Sequence, residues 1–364
     1  MISPTSATLD QLATILRGQA TKPFAESLSD EDWLRLIGLA NRDRHRLTPA
    51  LQEALFKSIG TALRPDVQDY LALVASTNDE RNAAIRREIV DVVGVLNAVS
   101  LEPVLLKGAA ALMHPEAALA IRMVGDIDVL VPETDETVAL AALERAGFVE
   151  SAPSTVRHTI ADLSRPGSHA QIDLHRAVLD APFQDLLSAQ HLFDGARSIS
   201  RHGVSFRVPS PEGYILHALL HAQIHNQGYY WRHLHLGAAR DVAILSESAD
   251  WDMLRCWAEE HRLQAVVGAT LLAAHRFFGL PWPLAEPPSP TVKRHHQRAC
   301  AVEIAGAWDC DLTRLQRLRE LLAADRISAR FGSQGSYLVN VARLGKRGVA
   351  RYGLRNLIAR VVRG

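Results

Sequence analysis

Cysteine is nearly missing from this chain. Its 364 residues include three, Cys256, Cys300 and Cys310, and none stands in CxxC spacing. So sparse and odd a set excludes a disulfide-framed secreted domain and a zinc knuckle. It suggests a reducing compartment, with the cytoplasm as the expected location. No run of 18 apolar residues occurs, so no membrane-spanning helix is expected. The start, MISPTSATLDQLATIL, lacks the basic residues and uninterrupted apolar stretch of a signal peptide. Neither sign of charge is in excess, with 40 Lys and Arg against 40 Asp and Glu, so no global polyanion-binding character is indicated. Lysine is scarce: Lys22, Lys57, Lys107, Lys293 and Lys346 are all of them. Against that background Lys107, set among apolar residues, stands out.

What is present is ordered along the chain. Residues 1–98 read as a helical region. In RREIVDVVGVLNAV, Ile89, Val92, Val93 and Leu96 share one helical face, and Ser29 with Asp32 has the form of a capping box. Residues 99–208 change character. EPVLLK suits a buried strand, GAAALMH a helix, and HPEAALAIRMVG a connector. DIDVLV alternates as a two-faced strand, and TDETVALAALERAG is an amphipathic helix with Thr134 as a possible cap and Gly147 as its stop. FVES, RHTIADLSR and HAQIDLHRAV follow as further strand candidates. Residues 209–325 turn helical again, interrupted by the proline-rich loop Pro281–Pro290. Residues 326–364 form a basic tail. Its last part carries Arg343, Lys346, Arg347, Arg351, Arg355, Arg360 and Arg363 with no acid, which suggests an anionic partner such as nucleic acid or a membrane surface, or docking on the acidic remainder of the chain.

Chemistry concentrates in three short motifs. Asp126 and Asp128 fall two apart on a predicted strand, so their side chains share a face. Two carboxylates so placed repel each other unless a cation lies between them. Mg²⁺, or Mn²⁺ in its place, takes hard oxygen ligands and also accepts phosphate oxygens. Asp173, in QIDLH, is a third candidate metal ligand, and together these residues suit a two-metal clamp. His175 shares a strand face with Asp173 and either contacts substrate or orients the carboxylate. Gly108 follows a strand and opens a helix, where backbone N–H groups favour phosphate, and Lys107 adds a charge there. Arg122 either steers a phosphate or pairs with Asp126, and Gly125 either shapes the turn into the strand or approaches the nucleotide. His217, His221 and His225 recur every four residues; they suggest either a zinc site or a helix face on which His221 reaches nucleotide or acceptor. Asp241, after Arg240, is either an ion-pair partner between helices or a pocket wall. Tyr229, Tyr230 and Trp231 either stack on a base or pack in a core.

The order LLKG, then RMVGDIDVLV, then IDLH resembles the DNA-polymerase-β-like nucleotidyltransferase superfamily. It is most similar to its branch of uncharacterised bacterial nucleotidyltransferases, sharply over about 101–176. The resemblance implies an α+β fold: a pol-β-like core, a small mixed sheet with helices, set between helical N- and C-terminal regions. It implies transfer of an NMP from an NTP, such as ATP, to an acceptor hydroxyl or phosphate, with pyrophosphate leaving. Asp126 and Asp128 would bind both metals, and Asp173 the catalytic metal while helping to deprotonate the acceptor. Gly108 would contact the triphosphate. The superfamily's usual Gly-Ser is replaced here by Lys107-Gly108-Ala109, so Lys107 stands in for the missing hydroxyl. The acceptor is a small molecule, a peptide or protein, or a tRNA end. The alternatives are a toxin-like enzyme acting on tRNA or protein, and a nucleotide-binding protein that has lost catalysis.

Overall fold

A computed structural model describes residues 5–152, 158–180 and 183–305. The basic tail and Cys310 lie outside the described residues. Four helices lead the chain: α1 (Ser6–Leu16), α2 (Lys22–Ser27), α3 (Asp30–Ala40) and α4 (Thr48–Ile59). The expected capping box starts α3. Ser29 Oγ accepts from Asp32 N at 3.2 Å, and Asp32 Oδ2 accepts from Ser29 N at 3.0 Å. The 33-residue α5 (Pro65–Asn97) follows, about 50 Å long at 1.5 Å per residue. Ile89, Val92, Val93 and Leu96 are fully buried along it, as their spacing predicts.

One mixed seven-stranded sheet lies at the centre. Its strands are β1 (Val104–Leu105), β2 (Asp126–Leu130), β3 (Val149–Ala152), β4 (Thr159–Ser164), β5 (Gln171–His175), β6 (Arg197–Arg201) and β7 (Val204–Val208). Their order is β3-β4-β5-β2-β1-β7-β6. The β2–β5 and β1–β7 pairs are parallel, and the other neighbours are antiparallel. Between the strands lie α6 (Lys107–Met113), α7 (Glu136–Arg145) and α8 (Ala189–Gly195). The β6–β7 hairpin extends the sheet beyond what the motifs indicate. RSISRHGVSFRV is rich in charge and hydroxyls, and its alternation shows clearly only in β7. Thr134 is not the cap of α7; a 3₁₀ turn over Glu133–Asp135 precedes the helix and Asp135 is its N-cap. Gly147, at φ +88°, does stop it.

The C-terminal helices are α9 (Pro211–Leu220), α10 (Gly228–Trp231), α11 (Leu236–Leu245), α12 (Trp251–Glu260), α13 (Gln264–Phe278) and α14 (Pro290–Ala305). They do not form a detached body, since α1 packs on α13 and α14. Apolar burial is continuous from α1 through the sheet to α14. No helix among the described residues is long and apolar enough to cross a membrane. Cys256 and Cys300 are free thiols.

The long helix α5 braces the segments that carry the acids. Asn78 and Asn82, one turn apart, donate from Nδ2 to Arg122 O at 3.1 and 2.8 Å. Glu88 Oε2 accepts from the backbone N–H of His169 and Ala170 at 3.1 and 3.3 Å. One helix face thus fixes the entry into both β2 and β5. Satisfying those otherwise buried backbone groups is the physical reason for polar residues at buried positions of a helix.

Candidate active site

The parallel pairing of β2 with β5 sets the acids against one another. Asp128 stands opposite Asp173, Asp126 opposite Gln171, and Leu130 opposite His175. Asp128, Asp173 and His175 each offer a ligand atom, and those atoms lie within 4.8 Å of one another. Asp126 is outside that compact group. It is partly exposed and lines the adjoining cavity. A fourth acid, Asp162 of β4, stands opposite Asp173 on its other side, which the motif order does not reveal.

Asp128 is completely buried. Lys107 Nζ donates to its Oδ1 at 2.6 Å, and His175 Nε2 donates to the same oxygen at 2.9 Å. Burial alone would raise this carboxyl, but the Lys107 charge and the His175 hydrogen bond outweigh it and hold Asp128 well below the usual carboxylate range. Its other oxygen, Oδ2, is buried with no hydrogen-bond partner among the described residues. An ionised oxygen left unmet costs more than the roughly 1–3 kcal/mol of a neutral group. Asp173 goes the other way. Burial and the charges of Asp128, Asp126 and Asp162 push it up to about 7. Asp126 is also raised, first by Asp128 and then by burial. The cluster therefore carries more negative charge than its partners neutralise.

Lys107 begins α6 at φ +44°, in the left-handed region where a side chain is strained. Its carbonyl accepts from Tyr214 Oη at 3.3 Å, which helps to hold that conformation. Gly108 is required by packing: a Cβ there would stand 2.7 Å from Val124 Cγ1. The glycine thus lets α6 close onto the segment entering β2, and it also lines the cavity. Arg122 pairs with Asp241 Oδ2 at 2.7 Å and not with Asp126. Asp241, on α11, is both the ion-pair partner of Arg122, which lies in the segment leading into β2, and part of the cavity wall. Gly125 lies beneath Arg46, whose Nη1 would be 3.4 Å from a Cβ at that position.

His217 of α9 and His221 and His225 just beyond it do not keep α-helical phase. His221–His225 forms a π turn, a local widening of the helix often found at functional sites. The His221 and His225 rings consequently stack at 5.1 Å, and His217 meets His221 edge to face at 6.1 Å. The three do not converge as a trio of metal donors, and among the described residues the only such group is the one at Asp128. His217 and His221 line the cavity, and burial lowers both, His217 to about 3. They are neutral near pH 7. His225 packs edge to face on His158, which in turn stacks on His175 at 5.1 Å. Tyr229 stacks on His295 at 4.0 Å, and Tyr229, Tyr230 and Trp231 are not among the cavity-lining residues.

The cavity holds about 530 Å³, a volume suited to a nucleotide-sized ligand. Its wall is built from Asp43–Arg46 after α3, Lys107–Gly108, Arg122–Asp126, and residues of the C-terminal helical region from Pro209 to Asp241 that include His217, His221 and Asp241. Residues 29–279 match the model of a family described as uncharacterised nucleotidyltransferase. The chain belongs to that family. Comparison with curated proteins and with solved structures gives no match. Nucleotidyl transfer is thus the general activity, and a nucleotide is the substrate class. The matched segment of this nucleotidyltransferase includes the acid cluster and every cavity-lining residue, but ends before α14.

That last helix supplies a residue sequence reasoning missed. Glu303 of α14 is fully buried and receives Arg42, Arg44 and His45 from the loop after α3. Arg44 makes two of these bonds, at 2.7 and 2.8 Å. His45 Nδ1 accepts from Leu236 N at 3.3 Å, so its proton is on Nε2 and goes to Glu303. The only sequence signal for this loop is the run NRDRHR at the end of a helix, which reads as solvated charge.

Proposed function

We propose that this nucleotidyltransferase transfers an NMP from an NTP to an acceptor hydroxyl or phosphate, in a Mg²⁺-dependent reaction on a pol-β-like core. The observation that carries the reading is the unmet Oδ2 of fully buried Asp128. It is grouped with Asp173 and His175 at ligand spacing and next to a nucleotide-sized cavity. The donor set is the hard carboxylate oxygen of the three aspartates, which fits Mg²⁺ or Mn²⁺, and such a cation would also meet the cluster's surplus negative charge. Asp126, Asp128 and Asp173 would hold the cation. When bound, it would supply charge neutralisation at the phosphates and activation of the attacking oxygen.

The chain's own residues provide the rest. Lys107 and His175 fix the Asp128 carboxylate from one side, so that only one oxygen is left to act. Asp173, whose proton affinity burial and its acidic neighbours raise in the metal-free protein, would take the acceptor's proton. Attack on the α-phosphorus then forms the new P–O bond as the bond to pyrophosphate breaks. His217 and His221, neutral in the cavity wall, offer hydrogen bonds to the nucleotide without adding charge. Gly108, Gly125 and Arg122 line the same space. The protein is read as cytoplasmic. The proposed organisation is a helical region over 1–98, the catalytic unit over 99–208, a second helical region over 209–325 and a basic tail over 326–364.

A second reading has one observation in its favour. The Lys107–Asp128 ion pair already neutralises part of the acid cluster without a metal, as a nucleotide-binding protein without catalysis would need. Incubation with Mg²⁺, cell extract and each NTP in turn decides between them. Pyrophosphate release that disappears in Asp128→Asn supports transfer. NTP binding with no release from any NTP supports the second reading.

A further inference from the structure

Four cations line the cavity: Arg44, Arg46, Lys107 and Arg122. Three are committed to acids. Arg44 is bound to Glu303, Lys107 to Asp128 and Arg122 to Asp241. Arg46 differs. Its side chain is 47% exposed, and its ionic neighbour is Asp43 at 3.7 Å, whose side chain is wholly in solvent. So exposed a pair contributes little and gives way readily to a better anion. The guanidinium stands over Gly125, next in sequence to Asp126, with Nη1 3.4 Å from where a Cβ on that glycine would lie.

Arg46 is also held in place. Its backbone has φ +50°, an unfavourable conformation for a side-chain-bearing residue. The loop is tied by Arg46 N to Arg42 O at 2.9 Å and Leu47 N to Ala40 O at 2.8 Å. Glu303 grips it through Arg42, Arg44 and His45. On α11, Leu236 N–H donates to His45, and Gly237 lets the strands of chain approach: a Cβ there would lie 2.9 Å from His45 O. A strained residue fixed from two sides, with its charged end in a cavity and held only by one solvent-exposed ion pair, is an arrangement that folding alone does not require.

We infer that Arg46 is the cation that receives the polyphosphate of the nucleotide, and that Glu303 is the positioning residue that aims it. This deepens the nucleotidyl-transfer reading and rests on it for the identity of the anion. A planar guanidinium suits the purpose, since it meets phosphate oxygens in pairs. It also assigns a task to a segment that lies 80 residues before Asp126, in the N-terminal helical region.

The test uses the full chain and inorganic tripolyphosphate with Mg²⁺, followed by calorimetry. Arg46→Ala is expected to weaken binding by about tenfold or more, the loss of one charge-assisted hydrogen bond, with thermal stability unchanged. Arg46→Lys is expected to restore only part of the affinity. Glu303→Gln is expected to weaken binding in the wild-type background and to add nothing in the Arg46→Ala background, which a general loss of stability would not produce. Tripolyphosphate affinity equal in wild type and Arg46→Ala, or no binding by wild type at all, overturns the inference. Pyrophosphate release from NTPs, read on the same samples, keeps the two proposals apart. Release with an unaffected Arg46→Ala sinks only this inference. Arg46-dependent binding with no release from any NTP sinks only the transfer reading.

Discussion

Two carboxylates among the described residues, Asp128 and Glu303, are completely buried and both are held far below the usual carboxylate range, yet they differ in how they are satisfied. Around Glu303, burial works to protonate the acid, and bonds from His45 and Arg44 outweigh it; Arg42 adds a further donor. Both Glu303 oxygens have partners. Around Asp128, two donors crowd one oxygen and the other has none. A buried charge whose valences are all met is doing structural work. A buried charge with one valence open is waiting for a ligand, because an unmet ionised oxygen would otherwise be a standing cost. Burial and pKa direction, which are alike at the two sites, do not distinguish them, whereas the count of partners does.

The sharpest way to break this comparison is to neutralise each carboxylate in turn. Asp128→Asn should reduce pyrophosphate release by on the order of a thousandfold, about 4 kcal/mol of transition-state stabilisation. Its folding stability should fall by less than about 2 kcal/mol, since an uncompensated oxygen is removed along with a salt bridge. Glu303→Gln should invert the pattern, with the larger loss in stability and the release rate at saturating NTP kept, although more NTP is needed to reach it. Removing one partner from a buried network costs about 3–5 kcal/mol, and the partly exposed Arg42 and Arg44 place this case near about 3. Urea unfolding and initial-rate assays on both variants give the four numbers. Equal stability losses would erase the distinction. The Glu303 contribution also has a pH signature. Its folded pKa lies below the ordinary 4.5, so the stability it adds is complete above that value and fades as pH falls below it.

The acid cluster was legible from the sequence where local periodicity fixes it. Alternation in DIDVLV puts Asp126 and Asp128 on one face, and the same rule puts His175 with Asp173. The capping box at Ser29 and the buried face of α5 follow from spacing alone. What was not legible depends on contacts distant in the chain. Asp162 faces Asp173 only because β4 pairs with β5 through a register shift near Ala161, which no local pattern states. Glu303 is 259 residues from Arg44. The partner of Arg122 proved to be Asp241, 119 residues away, where sequence proximity had offered Asp126. The π turn at His221 has no residue signature, and it broke a four-residue spacing that looked regular.

The open valence at Asp128 can also be sharpened without measuring catalysis. If it takes a cation, Mg²⁺ should raise the unfolding free energy of the wild type, by about 2.7 kcal/mol at a hundredfold excess over its dissociation constant. Chelation should reverse the gain. Asp128→Asn should show none of it, while Glu303→Gln should keep it in full on a lower baseline. Differential scanning fluorimetry with Mg²⁺ titration reads all three, and an equal Mg²⁺ response in wild type and Asp128→Asn would remove the metal from this site.

The smallest expected effect separates the sites by the sign of their pH dependence. Asp173 is pushed up to about 7 by burial and by its acidic neighbours. Its folded value therefore lies above its unfolded one, opposite to Glu303. Between about 4 and 7 the folded protein keeps a proton that the unfolded chain has released, so this contribution is present at low pH and is lost as pH rises through about 7. A cation entering the cluster must displace that proton, and its affinity should rise over the same interval. With a titration midpoint near 7, Mg²⁺ affinity should be about tenfold weaker at pH 6 than at pH 8. Asp173→Asn should bind Mg²⁺ more weakly, with little change across those pH values. Calorimetric Mg²⁺ titrations at pH 6, 7 and 8 on the two proteins measure this. A wild-type affinity that stays flat would mean that the proton on Asp173 and the cation do not compete, and that Asp128 completes its coordination without its neighbour.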